Sequence, residues 1–155
     1  MAKRFRFRLA PLLKIREAKK KDAQRLLGKR MAELLRLKER LEYLKGLRHE
    51  AVERRRVDLG QAVSMDLWRN IERYLISLER KMDETNFEIV RAQELVDEAR
   101  RELTKAHREH LTLLRLKERR QEQYDYEVMK EEQQQADELA VMRYQFNALD
   151  SLEAS

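Results

Sequence analysis

Few residues in this 155-residue chain have the type and spacing that chemistry needs. His107 and His110 stand three apart, which on a helix sets two imidazoles on one face, as metal ligands are set. A third and a fourth ligand are missing, His49 falls in a different helix, and the chain has no Cys to supply a thiolate. Gly28-Lys29-Arg30 is similar to the end of a phosphate-binding loop, but the first Gly and the preceding strand are absent. The 29 Asp and Glu residues follow an exposed pattern, with no apolar pocket to retune them as acids or bases. The expectation is therefore no catalytic residue, no cofactor and no metal.

The segment MAKRFRFR offers a different chemistry. Bases interleaved with Phe5 and Phe7 neutralise phosphates and stack on bases. The plainer reading is that they lead into a helix whose bases are solvated or meet acidic protein. No nucleic-acid-binding motif occurs elsewhere, so a nucleic-acid partner is not expected. An anionic membrane surface is a further alternative for this patch. Met31, Met65, Met82, Met129 and Met142 are dispersed and read as gap-fillers in a seam.

The elements that must position these residues are helices. Ala, Glu, Lys, Arg and Leu make up about 61% of the chain, above the level that marks a coiled coil or long helix. One Pro and three Gly cannot punctuate many short elements, which excludes a sandwich, a barrel or a βαβ array. No run of 18 apolar residues provides a membrane span. The Arg-rich start lacks the apolar block of a secretory signal. Absence of Cys fits a reducing, intracellular setting.

Pro11 is tolerated in a first helical turn, so helix 1 is placed at about residues 9–57. Leu27, Leu34, Leu37, Leu41, Leu44 and Ala51 form its seam, widened by Leu26, Met31, Leu35 and Leu47 and interrupted by Arg30 and Arg48. A turn at about 58–65 follows, with Gly60 to end helix 1 and Ser64 or Asp66 to cap helix 2. Helix 2, about 66–150, steps by three and four through Trp68, Ile71, Leu75, Leu78, Met82, Thr85, Ile89, Ala92, Val96, Ala99, Leu103 and Ala106. A strict 3.5-residue period implies a left-handed supercoil against a partner helix. The chain is thus predicted to be all-α, a single elongated domain 1–155 forming a long antiparallel two-helix coiled-coil hairpin.

At 1.5 Å per residue the helices span roughly 75 and 135 Å. With the turn near residue 61, residue i faces about residue 122 − i. Residues past about 121 then lack a partner, so the second helix overhangs, bends back or frays. Charge follows the same division. Residues 1–21 hold nine bases and one acid, whereas residues 121–155 hold two bases and nine acids.

Three stretches, together with this size and two-helix pattern, resemble the flagellar export protein FliJ family over nearly the whole chain. They are Phe5-Arg6-Phe7-Arg8-Leu9-Ala10-Pro11-Leu12-Leu13, Asp22-Ala23-Gln24-Arg25-Leu26-Leu27-Gly28, and Trp68 through Tyr74-Leu75-Ile76-Ser77-Leu78-Glu79. The resemblance implies a non-enzymatic protein shaped like the central shaft subunit of rotary ATPases. It implies that the end bearing both termini enters the centre of a hexameric flagellar export ATPase. It further implies contact with the cytoplasmic domain of the membrane export gate, recycling of export chaperones, and a cytoplasmic location that is peripheral on the inner membrane.

Under this resemblance, Leu139, Met142, Phe146 and Leu149 are candidates for apolar contact with the ring. Arg4, Arg6, Arg8 and Lys14 are candidates for steering it. Alignment on Trp68 places the gate contact at Tyr74, Leu78, Lys81 and Thr85, where Lys81 and Thr85 depart from the family pattern. Leu78 and Thr85 also lie on the seam, whereas Tyr74 lies off it. The alternatives are a coiled-coil scaffold or tether in another assembly, and a basic nucleic-acid-binding helical protein.

Overall fold

The computed structural model describes residues 4–58 and 65–154, which form two helices, α1 (Ala10–Asp58) and α2 (Met65–Glu153). Both are within three residues of the expected bounds. Gly60 and Ser64 lie outside the described residues. Asp66 is not the cap that the sequence allowed. It sits inside the first turn of α2, where its charge favours the helix dipole, as Arg55 and Arg56 do in the last turn of α1. Pro11 occupies the first turn of α1. Just before it, the Phe7 carbonyl accepts from the Ala10 amide at 3.1 Å.

The helices pack against each other as an antiparallel hairpin with a longer second helix. The chain divides into two compact units, Ala18–His107 and Met1–Glu17 with Arg108–Ser155. We call them the loop-side unit and the terminal unit.

In the loop-side unit the seam is the core. Leu34, Leu44 and Ala51 are buried on α1, and Leu27, Leu37 and Leu41 are half-buried. On α2, Leu75, Leu78, Thr85, Ala92, Val96 and Ala99 are buried. Leu34, Ala92 and Val96 form one cluster, with Leu27, Leu37 and Ile89 packed against it. The two small Ala residues let the backbones approach. Thr85 is tolerated there because its hydroxyl donates to the Lys81 carbonyl at 2.7 Å, leaving its methyl for the seam.

Four residues differ from the expected seam. Leu26, Met31 and Leu35 are exposed. A two-helix hairpin covers only a narrow strip of each helix, and these side chains fall on its flanks. Trp68 is also exposed.

The cross-helix register is later than expected. Arg55 pairs with Glu72, and Arg48 with Glu79 at 3.2 Å, so side chains meet where residue numbers sum to 127 rather than about 122. Side chains on a helix lean toward its N-terminus, by about one position each. On α1 that lean points away from the loop and on α2 toward it. Both displacements therefore raise the sum, and the long Arg side chain adds to them.

Candidate functional site

The terminal unit is built from a short arm, the first turns of α1 and the last half of α2. Residues 4–7 are non-helical. Alternation along such a segment sends Phe5 and Phe7 to one side and the arginines to the other. Phe7 is buried, at 8% exposure. The Phe5 ring packs against Tyr124 with centroids 5.7 Å apart and planes tilted by 46°. The two aromatics are therefore used within the chain rather than held out for base stacking. Arg4, Arg6, Arg8 and Lys14 remain exposed. Arg16, half-buried, pairs with Glu109 and ties α1 to α2 just past the arm.

The arm also moves the start of the overhang. Leu111, Leu113, Leu114, Leu116, Gln121, Tyr124 and Val128 are half-buried, whereas every residue from Met129 to Ala154 is exposed. The expected boundary was about 121. An extended segment advances about 3.3 Å per residue against 1.5 Å for a helix, so a few arm residues shield several more residues of α2.

Beyond Val128, α2 continues as a helix to Glu153. No described residue of the chain covers this segment. Leu139, Met142, Phe146 and Leu149 are each 61–66% exposed and follow a 3-4 spacing that places them on one face. Glu131, Glu132, Glu138 and Asp150 fall within about 60° of that face at 100° per residue, giving an apolar stripe with an acidic rim. The tip thus neither bends back nor lacks helical structure.

The second candidate surface lies in the loop-side unit. Its four residues are divided by the seam. Leu78 is 2% exposed and Thr85 is equally buried, so both are enclosed between the helices. Tyr74 and Lys81 are exposed, Tyr74 at 46%. Tyr74 lines a cleft of about 120 Å³ with Ile71 on α2 and Leu47, Glu50, Ala51 and Arg54 on α1. Glu50 and Arg54 escaped the sequence reading, and Leu47 and Ala51 entered it only as seam residues, because only the cross-helix register brings them beside Tyr74. The cleft offers an apolar floor from Leu47, Ala51 and Ile71, with Glu50 and Arg54 at its edge.

No group of His, Asp or Glu suited to hold a metal occurs among the described residues. No helix there is long and apolar enough to cross a membrane.

Comparison with known proteins agrees with this architecture. A solved structure described as a putative YscO homolog from Chlamydia trachomatis superposes with a TM-score of 0.50 at 20% identity, covering 93% of this chain and 98% of that one. At that identity the likeness speaks for the fold alone. No match was found among curated proteins. The family model described as Flagellar FliJ protein matches residues 5–148, from the first aromatic of the arm to near the end of the exposed helix. The chain therefore belongs to the flagellar FliJ family.

Proposed function

We propose that this protein is a non-enzymatic stalk of the flagellar type III protein export apparatus. In this reading its lone C-terminal helix enters the export ATPase ring and promotes ring assembly and ATP hydrolysis. One observation carries it. Residues 129–153 form a helix of about 37 Å whose apolar stripe is covered by nothing in the described chain. Large apolar side chains held at fixed spacing in water mark an interaction surface. On the arm and the first turns of α1, Arg4, Arg6, Arg8 and Lys14 present positive charge to acidic groups at the ring's mouth. Their part is in the rate and orientation of docking, which weakens as salt screens it.

The loop-side cleft is the corresponding candidate for the export gate. Tyr74 is its anchor, and Lys81 lies further along the exposed part of α2. Leu78 and Thr85 act here through the seam, by holding the cleft's shape. Recycling of export chaperones, and peripheral association with the membrane through the gate, complete the reading by membership of the family.

The test is the ATP hydrolysis rate of the cognate export ATPase, with light scattering for ring assembly. It is titrated with the full chain and with a chain ended after Val128. Faster hydrolysis and larger assemblies with the full chain, lost on truncation, are expected. No response to either chain would refute ring insertion and favour a tether.

A further inference from the structure

The exposed part of α2 changes character at Leu139. Among residues 129–138 only Met129 and Ala136 are apolar, whereas nine of the fourteen residues 139–152 are. At 1.5 Å per residue, a polar neck of about 15 Å carries an apolar tip of about 21 Å. The apolar residues of the tip do not end with the stripe of Leu139, Met142, Phe146 and Leu149. Val141, Tyr144, Ala148 and Leu152, spaced by three and four residues, form a second stripe. Its three large members, Val141, Tyr144 and Leu152, are 56%, 77% and 71% exposed. At 100° per residue the two stripes are centred about 135° apart and together span an arc of about 220°. Gln145 is the one polar residue of the tip inside that arc, and Glu138 and Glu153 bound it at either end. Arg143, Asn147, Asp150 and Ser151 share the remaining strip with Ala140. Along the neck, the side of the second stripe carries Lys130, Gln133, Gln134 and Asp137, so that side turns apolar only in the tip.

One neighbour does not cover such an arc. A helix packed on one side buries a stripe a little over about 100° wide. This chain shows the same limit, since a single packed helix leaves Leu26, Met31 and Leu35 of α1 and Leu95 of α2 exposed beside the seam. We propose that the tip is held from two sides at once, in a socket whose apolar walls belong to more than one subunit of the export ATPase ring. The strip of Arg143, Asn147, Asp150 and Ser151 faces water. This rests on the ring reading above and narrows it. A groove on one subunit covers one stripe and leaves the other in water, whereas the lumen of a ring offers walls on several sides. The neck fits the same placement. It sets the apolar tip about 15 Å beyond Val128, the last half-buried residue, so polar helix crosses the wet mouth before the tip meets apolar walls.

The test is thiol protection, which is direct here because the chain has no Cys. Met142→Cys probes the first stripe, Ala148→Cys the second and Asn147→Cys the polar strip. Each full-length variant is alkylated with a maleimide, alone and with the cognate ATPase assembled as a ring, and labelling is read from the mass of this chain. Co-sedimentation reports ring binding, and circular dichroism reports helix content. On the ring, labelling is expected to slow at least about tenfold at Met142→Cys and Ala148→Cys, and less than about threefold at Asn147→Cys. Val141→Gln with Tyr144→Gln is expected to weaken ring binding at least about tenfold at unchanged helicity, as is Met142→Gln with Phe146→Gln. Arg143→Gln with Asn147→Gln is expected to bind within about threefold of wild type. Protection at Met142→Cys without protection at Ala148→Cys, or a second-stripe pair that binds like wild type, overturns the two-sided socket and leaves the ring reading standing. Equal protection at Asn147→Cys overturns the open strip. A wild-type chain that does not bind the ring refutes both readings. Protection of both stripes in the free chain, with oligomers in sedimentation, assigns the walls to other copies of this chain and also overturns the proposal.

Discussion

Replacing Leu78 by Ala separates packing from partner contact on the loop-side surface. Leu78 is 2% exposed, and its side chain is among the largest that are fully buried. The change removes three carbons from the seam, about 2.4 kcal/mol of transfer free energy at about 0.8 kcal/mol per carbon. A cavity contribution adds to this, but a seam open on both flanks relaxes more than a globular core does. The expected loss is therefore about 2.5–3 kcal/mol. For a chain of this size that is a fall in Tm of about 5–12 °C. Tyr74→Ala is the control. Tyr74 is 46% exposed and sits at the edge of its cleft, so its truncation is expected to cost under about 1 kcal/mol. The assay is thermal unfolding by circular dichroism, paired with binding to the cytoplasmic domain of the export gate. Tyr74→Ala is expected to lose binding with its melting curve nearly intact, and Leu78→Ala to lose stability first. If Leu78→Ala melts like the wild type, or Tyr74→Ala melts as low as Leu78→Ala, the assignment of the two residues is refuted.

Gly28 and Gly46 lie inside α1, and a Cβ at either would meet no atom within 4 Å. Gly28→Ala and Gly46→Ala are each expected to raise stability by about 0.5–1 kcal/mol, measured by urea titration. Phe7→Ala removes the buried anchor of the arm and is expected to raise amide exchange at residues 10–16 and 110–128, with residues 75–106 unchanged; uniform exchange would refute the anchoring role. Arg55 and Glu72 are each about a third exposed. Arg55→Glu is expected to cost about 1 kcal/mol, most of which Glu72→Arg recovers in the double variant. A double variant no better than the single one would show that the pair contributes nothing.

The seam was legible because α2 repeats it strictly and α1 repeats it with interruptions only at Arg30 and Arg48. Six α1 positions and eleven of twelve α2 positions that follow the 3-4 step are buried or half-buried. Trp68 is the exception, since the described part of α1 ends at Asp58, a level already reached near residue 69. The flanks were less legible. Apolar periodicity cannot tell a core side chain from one beside a core only two helices wide, and so Leu35 reads as seam yet is exposed. The arm was hidden for a different reason. Arg-Phe-Arg-Phe-Arg is too short to declare its conformation, and its meaning depends on Tyr124, more than a hundred residues away. For the candidate sites, the exposed tip followed from unequal helix lengths, but the cleft around Tyr74 required knowledge of which α1 turn lies opposite.

The exposed tip poses a physical problem that its continuity with α2 solves. A helix of about 25 residues standing alone in water is only partly formed, because nucleation is costly and nothing apolar is buried. Here nucleation is already complete, since residues 129–153 propagate from a helix packed along most of its length. The segment contains no Gly or Pro, and it is rich in Glu, Gln, Ala, Leu and Met, which favour propagation. Local bonds support both ends of the exposed stretch. Gln121 donates to Asp125 at 3.0 Å before it, and the Ser151 hydroxyl donates to the Ala148 carbonyl at 2.9 Å near its end. The stripe is therefore displayed at fixed spacing before any partner arrives, which reduces the ordering cost of binding. Without the arm and the Arg16–Glu109 pair, the packed part of α2 would end sooner. The free segment would then be longer and more frayed, and its apolar side chains would lose their common face. In this chain the packing of Phe5 and Phe7 and the Arg16–Glu109 pair set how well the stripe is presented.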